Sequence, residues 1–149
     1  MDIQLRQAGA DDVDFARSLY FQAMRDLIES ELGWDQRHQE ESFLQWFTLQ
    51  ETAIIVVDGR DVGWMQTRTD ESEIFLGSLY VIPEMQRQGI GTGMLRKLMT
   101  DGECSSKAVT LAVMKKNPAL QLYERLGFRI THEDQHKFYM RAERPGYSA

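Results

Sequence analysis

The chain has 149 residues, 42% of them hydrophobic and 27% charged, values typical of one globular domain that buries a real core. No apolar run approaches the ~20 residues of a membrane span, Met1-Asp2-Ile3-Gln4 lacks the regions of a secretory signal, and the single Cys104 excludes an internal disulfide framework, so a cytoplasmic protein is the default expectation. A net charge of −6 argues against a nucleic-acid partner, which wants a basic patch, and suits a cationic or amine substrate.

Ile3 to Arg6 alternates apolar and polar residues, as a half-buried first strand does. Gly9 to Asp12 is a turn into a helix, with Asp11 as the expected cap. Val13, Ala16, Tyr20, Ala23, Met24 and Leu27 mark one face of that helix, which Gly33 breaks. Gln36 to Leu49 predicts a second helix with Phe43, Leu44, Trp46 and Phe47 on its apolar side. An acidic loop, Glu29 to Asp35, holds Trp34 between the two. Ala53 to Val57 and Val62 to Arg68 read as a hairpin about Asp58-Gly59-Arg60-Asp61. Thr69 to Ser72 is a turn, and Glu73 to Val81 is the central strand, stopped by Pro83. A helix follows to about Thr100, closed by Asp101-Gly102-Glu103. Val109 to Val113 is a strand and Pro118 to Leu126 a short helix. Phe128 to Thr131 and Lys137 to Arg141 form a last strand pair, and the tail from Arg144 to Ala149 is expected to be loose. His38, His132, His136 and Cys104 show no metal-ligand spacing, so no metal is expected.

The stretch between the central strand and its helix carries the most chemistry. Gln86-Arg87-Gln88-Gly89-Ile90-Gly91-Thr92-Gly93 leads into Met94, Leu95, Leu98 and Met99 at helical spacing. The first N–H groups of a helix have no intrahelical partner, and that end carries partial positive charge. Glycines let a ligand approach the backbone, so the stretch suits a phosphate or pyrophosphate. A P-loop would need Lys-Ser or Lys-Thr after its last glycine, where Met94 and Leu95 stand. A dinucleotide fingerprint needs G-x-G-x-x-G, and glycines at 89, 91 and 93 have the wrong period. A plain glycine turn remains an alternative. Gln86-x-x-Gly89-x-Gly91 fits a third pattern, Q/R-x-x-G-x-G/A, and resembles the acetyl-coenzyme A loop of the GNAT superfamily of N-acetyltransferases. A second stretch, Asn117-Pro118-Ala119-Leu120-Gln121-Leu122-Tyr123-Glu124-Arg125-Leu126-Gly127-Phe128, resembles that superfamily's N-x-x-A-x-x-x-Y-x-x-x-G-F signature. It also reads as a capped helix, with Asn117 as cap, Pro118 first and Gly127 as the stop.

The resemblance covers essentially the whole chain, and residues 1–149 are expected to form a single N-acetyltransferase domain. The fold class it implies is α/β of the α+β kind. A central mixed, mostly antiparallel, splayed sheet of about seven strands is flanked by about four helices, in the order βααβββαβαββ. The activity it implies is transfer of an acetyl group from acetyl-CoA, with no metal, to a primary amine of a small molecule or protein by direct attack. A catalytically silent acyl-CoA-binding sensor or regulatory module on the same fold is the alternative. No membrane partner is expected, and a homodimer fits the superfamily's habit.

The resemblance also assigns residues. Gln86, Arg87, Gln88, Gly89, Ile90, Gly91, Thr92 and Gly93 would hold the pyrophosphate. The pantetheine arm would run along Leu79, Tyr80 and Val81, where a backbone N–H polarises the thioester carbonyl. Asn117 would contact the same arm. Tyr123 matches the general acid, protonated at neutral pH because a phenol ionises near ~10. Glu73 is the candidate base, although the strand position where such a carboxylate often sits holds Phe75, one pair further in; base action through water is the alternative. Acceptor contacts would come from the acidic loop (Glu29, Glu31, Trp34, Asp35) and from His136 and Tyr139. Trp34 suits a cation–π contact with an amine and equally an anchor for its loop.

Overall fold

In the computed structural model, which describes residues 1–143, β1 (Ile3–Gln7) leads through a short 3₁₀ turn to α1 (Val13–Leu32) and α2 (Gln36–Trp46). Then come β2 (Thr52–Val57), β3 (Arg60–Thr69), β4 (Glu73–Val81), α3 (Ile90–Ser105), β5 (Ala108–Met114), α4 (Ala119–Arg125), β6 (Arg129–Glu133) and β7 (Lys137–Ala142). The strands form one seven-stranded sheet in the order β1-β2-β3-β4-β5-β7-β6. The element order is the expected one. The tail from Arg144, expected to be loose, lies outside the described residues. The chain packs as two compact units, Met1–Gln66 with Ser78–Gln86, and Thr67–Gly77 with Arg87 onward.

In the first unit, β1 and β2 pair antiparallel from Ile3↔Val57 to Gln7↔Ala53, and β2 pairs with β3 through a bulge between Ile55 and Val56. Their hairpin needs two left-handed residues, and Asp58 (φ 50°) and Gly59 (φ 83°) supply them. The turn is thus tighter than expected, with Arg60 and Asp61 already in β3. Gly63 has a packing reason: a Cβ there would overlap the Tyr80 carbonyl oxygen and stand 3.2 Å from Val81 Cα. The core gathers Ala16, Leu19, Phe43, Ile54 and Trp64. Trp64 is fully buried, so its indole N–H needs a partner, and it donates to the Ala16 carbonyl at 3.1 Å.

Three helix boundaries in this unit differ from expectation. The residue that fixes the entry to α1 is Asp12, not Asp11. Its carboxylate accepts from the Gly9 N–H at 2.8 Å and from both Arg6 guanidinium nitrogens at 2.9 and 2.7 Å. That Arg6 hydrogen bond holds Asp12 below the usual carboxylate range. The helix α1 runs to Leu32, so Glu29 and Glu31 lie in its last turn and the connecting loop shrinks to 33–35. Gly33, at φ 78°, stops it and donates its N–H to Glu29 O. The end of α2 falls at Trp46 rather than Leu49, because Phe47 turns to extended backbone and stacks on Phe43 at 4.8 Å.

In the second unit, β5 is central. It pairs parallel with β4 over Glu73–Leu76 against Ala108–Leu111, and antiparallel with β7 from Val109↔Ala142 to Met114↔Lys137. The parallel ladder ends at Leu76↔Leu111. The turn before β4 is built by Asp70, whose carboxylate accepts the N–H groups of Ser72 and Glu73 at 2.8 and 2.9 Å, the local chemistry that makes Asp a turn residue. Helix α3 buries Ile90, Met94, Leu95, Leu98 and Gly102 and packs on β5. Gly102 does not close this helix, which continues to Ser105. It is instead a point of close approach: a Cβ would sit 2.6 Å from the Lys107 carbonyl oxygen and 3.2 Å from Val109 Cγ2. Overfilling a packed contact costs about 1–3 kcal/mol, so Gly102→Ala should lower the denaturant midpoint with an unchanged slope, and an equal or higher midpoint would refute this packing.

Candidate functional site

The loop before α3 is shaped by its own residues. After a 3₁₀ turn at Pro83–Met85, the Gln86 side chain donates to the Val81 carbonyl at 2.9 Å and ties the loop back to the end of β4. Arg87 (φ 65°) and Gly89 (φ 83°) are both left-handed, a turn conformation that gathers successive N–H groups into an anion-binding concavity. Gly89 is the N-cap of α3. It offers no side-chain cap, and no acidic residue stands in the first turn. The N–H groups of the first turn are therefore left for another acceptor, while Ile90, 1% exposed, anchors the turn. Cβ atoms built on Gly91 and Gly93 meet nothing within 4 Å, and neither has a positive φ. Among the described residues nothing packs against a side chain at these two positions, and each glycine costs about 0.5–1 kcal/mol of helix stability relative to Ala. Gln88 is exposed beside them and Thr92 half-buried.

At the other end of that loop, Leu79 is half-buried and Val81 is buried. Tyr80 points into the aromatic layer of the first unit, its ring 5.6 Å from Tyr20 and 5.2 Å from Trp64. Tyr20 also meets Trp46 edge-on at 5.0 Å. Sequence reasoning placed Tyr20 and Trp46 on apolar helix faces and missed that they share one layer with Tyr80.

Helix α4 holds the second motif. Asn117 caps it, its side-chain oxygen accepting the Ala119 N–H at 2.9 Å. Gly127 (φ 102°) ends it, and the Phe128 N–H returns to the Tyr123 carbonyl at 3.0 Å, the 6→1 bond of a Schellman stop. Phe128, 2% exposed, packs its ring 6.0 Å from Tyr123. Tyr123 is therefore oriented through both backbone and ring. Burial alone pushes its phenol above the ordinary tyrosine range, so the hydroxyl keeps its proton.

Glu73 is the first residue of β4, half-buried, and its carboxylate meets Arg141 of β7 at 3.3 Å. Arg141 is shared with Glu143 at 2.6 Å. This partner was not legible in the sequence, because 68 residues separate Glu73 from Arg141. Trp34 is already engaged: its N–H donates to Gln36 Oε1 at 2.9 Å, Phe21 meets it edge-on at 5.4 Å and the Arg25 guanidinium lies 5.2 Å over its ring. Glu31 is half-buried, Glu29 pairs with Arg25 at 3.7 Å, and Asp35 caps α2 through the His38 N–H. In the β6–β7 turn, Asp134 accepts from Tyr139 Oη at 2.8 Å and from the N–H groups of His136 and Lys137. The Tyr139 bond, with those two, holds Asp134 at about 2. His132 stacks on Tyr139 at 4.4 Å. Sequence reasoning named His136 and Tyr139 and overlooked Asp134, the carboxylate that organises both.

Arg87 to Gly93, Asn117, Tyr123, Glu73, His136 and Tyr139 belong to the second unit; Leu79, Tyr80, Val81, Gln86, Glu31 and Trp34 belong to the first. Among the described residues no group of three or more His, Cys, Asp or Glu side chains could hold a metal ion, and no helix is long and apolar enough to cross a membrane.

Comparison with known proteins gives three findings. The model of the acetyltransferase (GNAT) family matches residues 21–128. Among curated proteins, the human cysteine-rich protein 2-binding protein is 39% identical over 77 residues, which is 52% of this chain and 10% of that protein; the mouse protein of the same name matches equally. The chain thus spans about a tenth of the length of these relatives. Among solved structures, PaiA N-acetyltransferase from Thermoplasma acidophilum, in complex with coenzyme A, superposes with a TM-score of 0.77 at 16% identity, covering 96% of this chain and 99% of that one. The ribosomal-protein-S18-alanine N-acetyltransferase from Escherichia coli gives 0.70 at 19% identity, covering 99% and 97%.

Proposed function

Because the chain belongs to the acetyltransferase (GNAT) family, we propose that residues 1–149 act as one N-acetyltransferase domain, which moves an acetyl group from acetyl-CoA to a primary amine. The observation that carries this reading is the start of α3: an uncapped helix end behind two left-handed residues, with glycines that face open space. That donor set fits a pyrophosphate. The coenzyme A bound to the PaiA relative is of the same chemistry.

The reaction is a direct acyl transfer. The neutral amine attacks the thioester carbonyl, a C–N bond forms, the C–S bond breaks, and coenzyme A leaves as a thiolate that takes a proton. Arg87 to Gly93 bind the pyrophosphate, with Gln86 holding the loop. A backbone N–H at Leu79 or Val81, beyond the end of the β4–β5 ladder, polarises the carbonyl, and the Tyr80 ring fixes that stretch of strand. Asn117 sets the first turn of α4 and contacts the pantetheine arm. Tyr123 gives its proton to sulfur. The amine's own proton leaves through water or to Glu73, whose pairing with Arg141 favours the water route. Glu31, Trp34, His136 and Tyr139 are the proposed acceptor contacts.

The deciding experiment is thermal melting with acetyl-CoA, beside NAD and ATP. Ligand at about 100 times its dissociation constant adds about 2.7 kcal/mol to the native state. A rise in Tm with acetyl-CoA alone, followed by amine-dependent release of free thiol, is the expected result. A rise without thiol release across an amine panel would make the chain a silent acyl-CoA binder. No rise in a cooperatively melting protein would overturn the cofactor site.

A further inference from the structure

Three successive residues of β3 shape residues 80–82, all within the first unit. The Val62 carbonyl accepts the Ile82 N–H at 2.8 Å. The Trp64 ring packs 5.2 Å from the Tyr80 ring. Between them, Gly63 leaves the space of a side chain open, and the Tyr80 carbonyl oxygen fills it. A Cβ on Gly63 would overlap that oxygen and stand 3.2 Å from both the Tyr80 carbonyl carbon and Val81 Cα. Gly63 has no positive φ, so its backbone conformation does not call for glycine. Glycine inside a strand weakens it and marks a place where another backbone comes close. What comes close here is one peptide group, Tyr80–Val81.

That placement sets the direction of a hydrogen-bond donor. Side chains stand out of the plane of a strand, on alternate faces. The Tyr80 carbonyl therefore rises on the Gly63 face of β3, while the Tyr80 ring meets Trp64 on the other. The peptide is trans, so its N–H, which belongs to Val81, points opposite to its C=O and away from Gly63. Val81 is buried, and its own carbonyl is held by the Gln86 side chain at 2.9 Å. A fixed N–H shielded from water is the kind of donor that stabilises charge developing on an oxygen.

We propose that Gly63 is a positioning residue for acyl transfer. By yielding its side-chain space to the Tyr80 carbonyl, it turns the Tyr80–Val81 peptide so that Val81, rather than Leu79, presents the N–H that polarises the thioester carbonyl. This rests on the acetyl-transfer reading and names the donor and the residue that aims it. A side chain at position 63 forces that peptide to give way by about 1 Å, and a misplacement of that size costs about 10²-fold in rate.

The first readout is the Val81 amide proton, followed by nuclear magnetic resonance in the isotope-labelled full chain. Acetyl-CoA should move it downfield. CoA, which has the same pyrophosphate but no thioester carbonyl, should not, and the Leu79 amide should answer both ligands alike. The second readout is kinetic, at a temperature where the variants are folded. Gly63→Ala should lower kcat by about 10²-fold while its calorimetric affinity for CoA stays at the wild-type value. Gly102→Ala, an equally tight contact away from the reaction, should lose stability without losing kcat. Wild-type kcat in Gly63→Ala overturns the inference. So do equal losses of kcat and CoA affinity, which would make Gly63 a packing residue alone. A Val81 amide that answers CoA and acetyl-CoA alike also overturns it, and this wild-type comparison decides the matter if Gly63→Ala fails to fold. If acetyl-CoA is bound and turned over while Val81 gives no such difference, the acetyl-transfer reading stands and this inference alone fails.

Discussion

Tyr123→Phe is expected to lower kcat by about 10²–10⁴-fold, the usual contribution of a positioned general acid, while leaving acetyl-CoA binding and Tm close to wild type. The separation follows from how the residue is held. Its place is fixed by the Schellman stop at Gly127 and by the Phe128 ring, and both survive loss of the hydroxyl. Burial is what raises its pKa, and the substitution keeps the buried ring. The pH behaviour follows in sign. A phenol raised above its ordinary value stays protonated through neutral pH, so kcat should not fall on the alkaline side until beyond about pH 10. By the same shift, stability is complete below the unfolded tyrosine value and is lost as pH rises from there through the folded one. Glu73→Gln is the companion measurement. If Glu73 takes the amine's proton directly, its loss lowers kcat by a comparable factor; if water does, the effect stays small. Unchanged turnover in Tyr123→Phe would falsify the acid role while leaving the fold and cofactor loop untouched.

Element order and the two motifs were legible because each rests on local chemistry. Gly127 at φ 102° stops α4 where sequence placed the stop, and Asn117 supplies the cap it was expected to supply. The misplacements share one cause, a contact outside the local sequence signal that overrides it. Asp11 and Asp12 are equal as caps in the sequence. The guanidinium of Arg6, on the neighbouring strand, selects Asp12. Gly102 reads as a helix stop, yet its freedom serves close approach to the Lys107 carbonyl, and α3 runs on. Among the site residues, the pairing of Glu73 with Arg141 and the gathering of Tyr139 and His136 on Asp134 depend on strand register, which a one-residue slip would reverse. Trp34 was read as either a cation–π partner for an amine acceptor or an anchor for its loop. Its face carries the chain's own Arg25 guanidinium and its edge meets Phe21, contacts within the chain that suit an anchor.

Gly91→Asp should move stability and affinity in opposite directions. Position 91 is the second residue of α3, has ordinary helical backbone, and offers open space to a side chain. Any residue other than glycine or proline gains helix propensity there. A carboxylate in the first turn gains a further ~0.3–1 kcal/mol from the helix end. The apo protein should therefore melt at an equal or higher temperature. The same carboxylate would stand where the pyrophosphate is proposed to bind. Two like charges about 4 Å apart near a protein surface repel by roughly 4 kcal/mol, and even part of that exceeds the ~2.7 kcal/mol of a hundredfold loss. Calorimetric titration should thus show acetyl-CoA affinity reduced at least about 100-fold in a protein no less stable than wild type. Gly91→Ala separates the two effects, since it restores helix propensity without charge and costs affinity only through the methyl group's bulk. If Gly91→Asp binds acetyl-CoA as tightly as wild type, the anion does not sit on the first turn of α3. The glycines at 91 and 93 would then need another explanation, because among the described residues no packing provides one.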